Sequence, residues 1–237
     1  MIFCIGDIHG HFDRLKRLME HCRNFAEAAD GQDPQFILLG DYVDRGPHSR
    51  QVIEFLASKP ANVRAICGNH EDMMLESRHG GPALALWLGN GGGETLQSYG
   101  ARHLREIPPE HLDMIAALPT FIDDGLRLFV HAGIDPQDPS ARDRQTLLWT
   151  RKHPPADMVL DRFIVHGHTP VSTGRPELLR NRLNLDTGAG WGRHLSAAAF
   201  DSNSPRPLAF LDDQGRTVLI SPPESQRTWF QPNNPIA

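Results

Sequence analysis

The sequence predicts an α/β chain, with a parallel sheet covered by helices in its first half and a strand-rich second half. Three observations carry that reading. A short apolar run ended by glycine and followed by a helix-like stretch occurs three times before residue 80, and strands alternating with helices imply a parallel sheet buried on both faces. From residue 120 onward, short β-branched or aromatic runs follow one another, starting at a hairpin signal. With 39% hydrophobic and 22% charged residues, the 237-residue chain has enough apolar material for one large core.

The first unit is Ile2-Phe3-Cys4-Ile5, a buried strand ended by Gly6, followed by Leu15, Leu18, Met19 and Cys22 at the spacing of an amphipathic helix. The second is Phe36-Ile37-Leu38-Leu39 before Gly40, with Ser49 as N-cap of a helix carrying Val52, Ile53 and Leu56. The third runs Val63-Arg64-Ala65-Ile66-Cys67 to Gly68 and enters a helix with Met73 and Met74. Residues 76–119 read as mostly helical, broken by Gly80-Gly81 and Gly91-Gly92-Gly93, which suggest flexible or ligand-approaching loops. Thr120-Phe121-Ile122-Asp123 and Arg127-Leu128-Phe129-Val130 flank Asp124-Gly125, the two-residue signal of a type I′ hairpin. Further strands are expected at 163–165, 183–185, 195–200, 208–211 and 218–220. No linker or fixed-period repeat divides the chain, so residues 1–237 read as a single domain. Its tail, 221–237, holds four prolines and is expected to be irregular, packed through Trp229 and Phe230.

Composition excludes several classes. A balance of 24 Lys+Arg against 29 Asp+Glu argues against a broad nucleic-acid or anionic-lipid footprint. No run approaches the roughly 18 apolar residues of a membrane helix. Asp7 interrupts the apolar start too early for a secretory signal, so the expected compartment is the cytoplasm. Cys4, Cys22 and Cys67 cannot all pair with one another, so core-filling thiols are expected rather than a disulfide framework.

Thirteen histidines are unusual, and their positions are informative. Each of the first three strands ends in glycine and then in metal-seeking or phosphate-seeking side chains: Gly6-Asp7-Ile8-His9-Gly10, Gly40-Asp41-Tyr42-Val43-Asp44-Arg45-Gly46 and Gly68-Asn69-His70-Glu71. Two later strands end in Val130-His131-Ala132-Gly133 and Val165-His166-Gly167-His168-Thr169. In a parallel sheet such loops emerge together at the carboxyl edge, where open α/β sheets bind ligands. Asp7, His9, Asp41, Asn69, His131 and His168 offer oxygen and imidazole without thiolate, a set suited to Mn²⁺, Fe or Zn²⁺. Six ligands exceed what one ion needs. A shared carboxylate can bridge two metals about 3.5–4 Å apart, an arrangement that stabilises both the attacking and leaving oxygens of an in-line displacement at phosphorus. His70 is a candidate general acid, and Asp44 a candidate to orient it.

The ordered blocks GDIHG, GDYVDRG, GNHE, HAG and GHT resemble the metallophosphoesterases, specifically the phosphoprotein phosphatase branch with its bacterial and bacteriophage Ser/Thr phosphatases. Leu148-Trp149-Thr150-Arg151 is similar to the segment supplying that family's second phosphate-binding arginine, and Asp186-Thr187-Gly188-Ala189 to its strand after the last histidine. The resemblance implies a four-layer αββα sandwich of two mixed sheets flanked by helices. It implies one metal on Asp7, His9 and Asp41 and another on Asp41, Asn69, His131 and His168, most naturally two Mn²⁺, with a bridging hydroxide as nucleophile. Arg45 and Arg151 would clamp the phosphoryl oxygens, a task suited to planar guanidinium groups, Asn69 would also face the substrate, and His70 would protonate the leaving oxygen.

Serine/threonine phosphoprotein hydrolysis is the first function implied, and symmetrical bis(5'-nucleosyl)-tetraphosphate hydrolysis the alternative, because the motifs do not separate them. Residues 87–100 and the loops after Gly133 are the expected substrate platform. A noncatalytic scaffold would be expected to lack one of Asp41, Asn69, His70 or Arg45, and all are present. A nuclease of the wider superfamily would lack the Asp44-Arg45-Gly46 that follows Asp41. The expected partner is a phosphoprotein or small phosphate ester, not nucleic acid or membrane, and the oligomeric state is left open. Glu71 is read as charge in a first helical turn, His166 as a neighbour of the ligand His168, and His111 and His153 as surface residues.

Overall fold

The computed structural model describes residues 1–29 and 31–220; the expectations for 221–237, Trp229 and Phe230 included, lie outside the described residues. Strand β1 (Ile2–Ile5), helix α1 (Phe12–Ala29), β2 (Gln35–Leu38), α2 (Ser49–Ala57) and β3 (Val63–Ala65) follow the expected alternation, and β1, β2 and β3 pair in parallel. β1 and β2 are apolar on both faces because each face has a neighbour, whereas the edge strand β3 leaves Arg64 exposed. Phe3, Ile5, Phe36 and Leu38 pack under Leu15, Leu18, Cys22, Val52 and Ile53 of the two helices, while Cys4, Ile37 and Leu39 face the second sheet.

The helical middle comprises α3 (Asn69–Glu76), α4 (Gly81–Trp87), a π-helical turn (Leu88–Gly92), α5 (Gly93–Tyr99) and α6 (Pro109–Ala116). Gly91-Gly92-Gly93 is thus no open loop: it wraps a helical kink in which Gly91 alone is non-helical. Next come β4 (Phe121–Asp123), β5 (Arg127–Val130), α7 (Arg144–Trp149), β6 (Phe163–His166), β7 (Glu177–Leu178) and β8 (Arg182–Asn184). They form a mixed five-stranded sheet in the order β4-β5-β6-β8-β7. The expected hairpin exists, but its turn is shifted by one residue. Asp124 N–H donates to Arg127 O and the Asp124 carboxylate accepts from Leu126 and Arg127 N–H, so Gly125 and Leu126 are central. Only Gly125 has positive φ, as in a II′ rather than a I′ turn.

The chain then returns to the first sheet. β9 (Ser196–Phe200) pairs antiparallel with β1, and β10 (Ala209–Asp212) and β11 (Thr217–Leu219) extend the edge, giving the order β11-β10-β9-β1-β2-β3. Phe129, Val165, Leu183 and Phe200 fill the space between the sheets, and Leu147 of α7 packs outside the second sheet on Leu128, Val130 and Ile164. The result is two mixed sheets face to face with helices outside. No helix among the described residues is long and apolar enough to cross a membrane, and Cys4, Cys22 and Cys67 are buried and free.

Phe36 is fully buried and stacks on Phe3 with ring centres 5.9 Å apart. Phe36→Ala is therefore expected to lower unfolding stability by about 3–5 kcal/mol in urea titrations. A loss near zero would mean that this helix–sheet core does not hold the fold.

Candidate active site

The parallel strands of both sheets send their carboxyl ends to one edge, and the five expected loops meet there. The β1 loop is tied to the β2 loop: Ile8 and His9 N–H groups donate to Asp41 O at 3.1 and 2.7 Å, and Gly10 N–H to Tyr42 O at 2.8 Å. Gly40, at φ 98°, lies where the two sheets converge, since a Cβ there would approach Gly68 Cα to 2.6 Å and His131 Nδ1 to 2.9 Å. Six non-glycine residues among those described have positive φ, and five are His9, Asp41, Asp44, Arg45 and His168. Such conformations cost about 1–3 kcal/mol each and persist only where surroundings over-determine them.

Asp41 is at the centre. Its Oδ1 accepts from His70 N–H at 3.0 Å and lies 3.3 Å from His131 Nε2, while its Oδ2 lies 3.5 Å from His9 Nε2. Asn69, at the start of α3, holds Oδ1 2.8 Å from both His131 Nε2 and His168 Nδ1. The other ring nitrogens of His9 and His131 meet the carbonyls of Val43 (3.1 Å) and Leu39 (2.8 Å). With protons assigned there, the Nε2 lone pairs point into the cluster, the arrangement that suits a metal ligand. Asp7 is buried; its Oδ2 accepts from His168 N–H at 3.0 Å, and its Oδ1 has no protein partner.

The electrostatics favour a cation. Burial, then the charges of Asp186 and Asp41, push Asp7 well above the usual carboxylate range, and burial likewise lifts Asp186 to about 6. Burial opposes the charge of Asp41 too, but His131, His70 and His9 hold it below the usual range. His168 is driven down to about 3, chiefly by burial and His131, with a contribution from Arg151. Crowded carboxylates, neutral imidazoles and an unpartnered Asp7 oxygen form a donor set that divalent ions fit. His9, Asp41 and His70, and Asp7, Asp41 and His131, each offer ligand atoms within 4.8 Å of one another.

Beside this cluster, His70 Nδ1 is 2.7 Å from Asp44 Oδ2. Burial works against the imidazolium, but Asp41 and Asp44 outweigh it and raise the His70 pKa. Arg45 reaches 2.7 Å from His9 Nε2 and 3.0 Å from His70 Nε2. Arg151, two residues past α7, is exposed, and its charge is felt at His168.

Several functional neighbours escaped sequence reasoning. Trp87 Nε1 and Thr95 Oγ1 donate to Asp44 Oδ1 at 3.0 and 2.7 Å, and Gly91 O accepts from Arg45 N–H at 3.2 Å. Residues 87–100, expected to form a substrate platform, therefore also support Asp44 and Arg45 from behind. Glu71 does more than charge a helix start: its carboxylate accepts from Gly68, Asp41, Tyr42 and Val43 N–H groups at 2.7–3.2 Å and clamps two loops together. His166 is buried with its ring 4.6 Å from that of the half-buried His153 and tilted 34° to it, and His111 is buried with its Nδ1 3.0 Å from Tyr99 Oη, so neither His153 nor His111 is the freely solvated residue expected.

A strand-edge cluster of this kind, beside a buried His–Asp pair and an inward arginine, defines a metal-dependent phosphatase. The chain belongs to the calcineurin-like phosphoesterase family, whose profile matches residues 1–193. It is 26% identical to the asymmetrical bis(5'-nucleosyl)-tetraphosphatase PrpE of Bacillus velezensis, over 90% of this chain and 97% of that protein. It is 28% identical to serine/threonine-protein phosphatase 1 of Salmonella typhimurium, over 83% and 90%. Its fold is similar to that of a cold-active protein-tyrosine phosphatase of a psychrophilic Shewanella, with a TM-score of 0.64 at 16% identity, covering 93% of this chain and 80% of that one.

Proposed function

We propose that the chain hydrolyses a dinucleoside tetraphosphate, with Asp7, His9 and Asp41 holding one divalent ion and Asp41, Asn69, His131 and His168 a second. The observation that carries the two-ion reading is that the two oxygens of Asp41 face different ligand groups, Oδ1 towards His131 and Oδ2 towards His9. When bound, such a pair supplies a nucleophile at neutral pH and neutralises phosphoryl oxygens. Mn²⁺ is the ion we expect, given borderline imidazole and hard oxygen donors.

Arg45 holds a phosphoryl oxygen by its guanidinium, and Arg151 reaches the same group. Arg45 Nη2 lies 3.0 Å from His70 Nε2, the ring nitrogen opposite the one held by Asp44, so a phosphate held by Arg45 would lie next to that nitrogen. His70 donates its proton to the leaving oxygen, while Asp44, fixed by Trp87 and Thr95, keeps the ring oriented. The three free cysteines suit the reducing cytoplasm.

The names of relatives favour the dinucleotide substrate, although the Salmonella relative supports phosphoserine and phosphothreonine proteins as the second reading. Parallel turnover of diadenosine tetraphosphate and a phosphothreonine peptide tests the choice: kcat/KM is expected to be higher on the dinucleotide, and the reverse order would transfer the assignment to phosphoproteins. Recovery of AMP with ATP would mark asymmetrical cleavage, and ADP alone symmetrical cleavage. Chelation is expected to abolish turnover of either substrate and Mn²⁺ to restore it. Full activity in a metal-free preparation would overturn the two-ion reading.

A further inference from the structure

Trp191 is a large aromatic side chain left 65% exposed at the edge of the active site. One face of its indole covers the Arg45 guanidinium, with Cζ 4.5 Å from the ring centre. It ends a single 3-10 turn, Ala189–Trp191, bracketed by Gly188 and Gly192 at positive φ. Trp191 and Arg193 N–H both donate to Gly188 O, the Arg193 guanidinium donates to Val171 and Ser172 carbonyls, and Arg14 donates to Arg193 O. Gly190 brings the turn against the metal-ligand candidates: a Cβ there would come within 2.4 Å of His9 Cδ2. The backbone of the turn is therefore held in place, and the indole presents one face to solvent and the other to Arg45, the arginine proposed above to hold the phosphate.

We propose that the outer face of Trp191 seats the nucleobase of a nucleoside phosphate whose phosphate is held by Arg45, an inference that rests on the phosphate role given to Arg45 above. An exposed plane beside a phosphate seat matches a ligand that carries a ring a short distance from its phosphate. A nucleotide does so across one ribose, whereas a phosphoserine or phosphothreonine ester brings no ring with its own side chain. Arg193, whose guanidinium donates to the Val171 and Ser172 carbonyls, adds positive charge beside the turn in a chain of net charge -5, whereas Arg14 lies 4.0 Å from the Asp213 carboxylate. A rigid plane loses little freedom on stacking, and base stacking on an aromatic side chain tolerates any base because every base has a π-face.

The test is calorimetric binding of AMP and of ribose 5-phosphate to the Mn²⁺-loaded full chain, since the two ligands share the phosphate and sugar and differ by the base. AMP is expected to bind about 10- to 100-fold more tightly. Trp191→Ala should bring the two affinities nearly together, and Trp191→Phe, which keeps a ring, should retain most of the preference. Equal affinities in the wild type, or a preference for AMP that survives in Trp191→Ala, would overturn the proposal. A Trp191-dependent preference in a protein that turns over the phosphothreonine peptide but not diadenosine tetraphosphate supports the seat while refuting the substrate proposed above, so the two claims can fail separately.

Discussion

Asp41→Asn is expected to lower turnover by about 10³-fold or more on every phosphate ester tested, and to reduce metal content with it. The electrostatic help that bound ions give a phosphoryl transition state is worth several kcal/mol, and each 1.36 kcal/mol is tenfold in rate. Asp41 is singled out because its two oxygens serve different neighbours: Oδ1 faces the His131, Asn69 and His168 group, and Oδ2 faces His9. An amide of the same shape keeps one oxygen but removes the charge, so at least one ion should be lost. The fold should survive, because the bonds that hold the loop, from Ile8 and His9 N–H to Asp41 O and from Asp41 N–H to Glu71, are made by the backbone. Activity and metal content can be measured on the same purified variant. Near-normal turnover at normal metal content would remove Asp41 from the centre of the account.

His70→Asn carries the second large effect, and its signature is selectivity. A proton is needed most by a poor leaving group, and general acid catalysis is worth about 10²- to 10⁴-fold. Turnover of an unactivated ester such as a phosphothreonine peptide should fall within that range, while a nitrophenyl phosphate, whose phenolate leaves without help, should lose far less. Asp44→Asn should reproduce part of the defect, since Asp44 Oδ2 is the partner of His70 Nδ1 at 2.7 Å. A uniform loss on both substrates together with loss of metal would make His70 a ligand or a structural residue, and the acid would have to be sought elsewhere.

The parts of this site that were legible in the sequence are those in which chemistry and local structure coincide. Asp7, His9, Asp41, Asn69, His131 and His168 each follow a strand end, and a parallel sheet brings such ends together without any knowledge of distant pairing. The helices α1 and α2 were legible because their buried residues keep helical spacing. What stayed hidden depends on contacts between remote segments. Pairing of Phe3 with Ala199 joins strands far apart in the sequence in one sheet, and nothing local in either strand specifies it. Trp87 and Thr95 meet Asp44 across 43 and 51 residues, and a tryptophan in a helix reads as core until its indole N–H finds a carboxylate. The hairpin at Asp124 shifted for a local reason: the Asp124 side chain captures two backbone N–H groups, which moves the turn onto Gly125 and Leu126.

The central claim is that one carboxylate joins two ion sites, and electron paramagnetic resonance of the Mn²⁺-loaded protein tests it most directly. At saturation two Mn²⁺ per chain are expected, with the spectrum of an exchange-coupled pair, because Asp41 faces two ligand groups at once, Oδ1 towards His131 and Oδ2 towards His9. A saturated protein showing only isolated Mn²⁺ ions would contradict it.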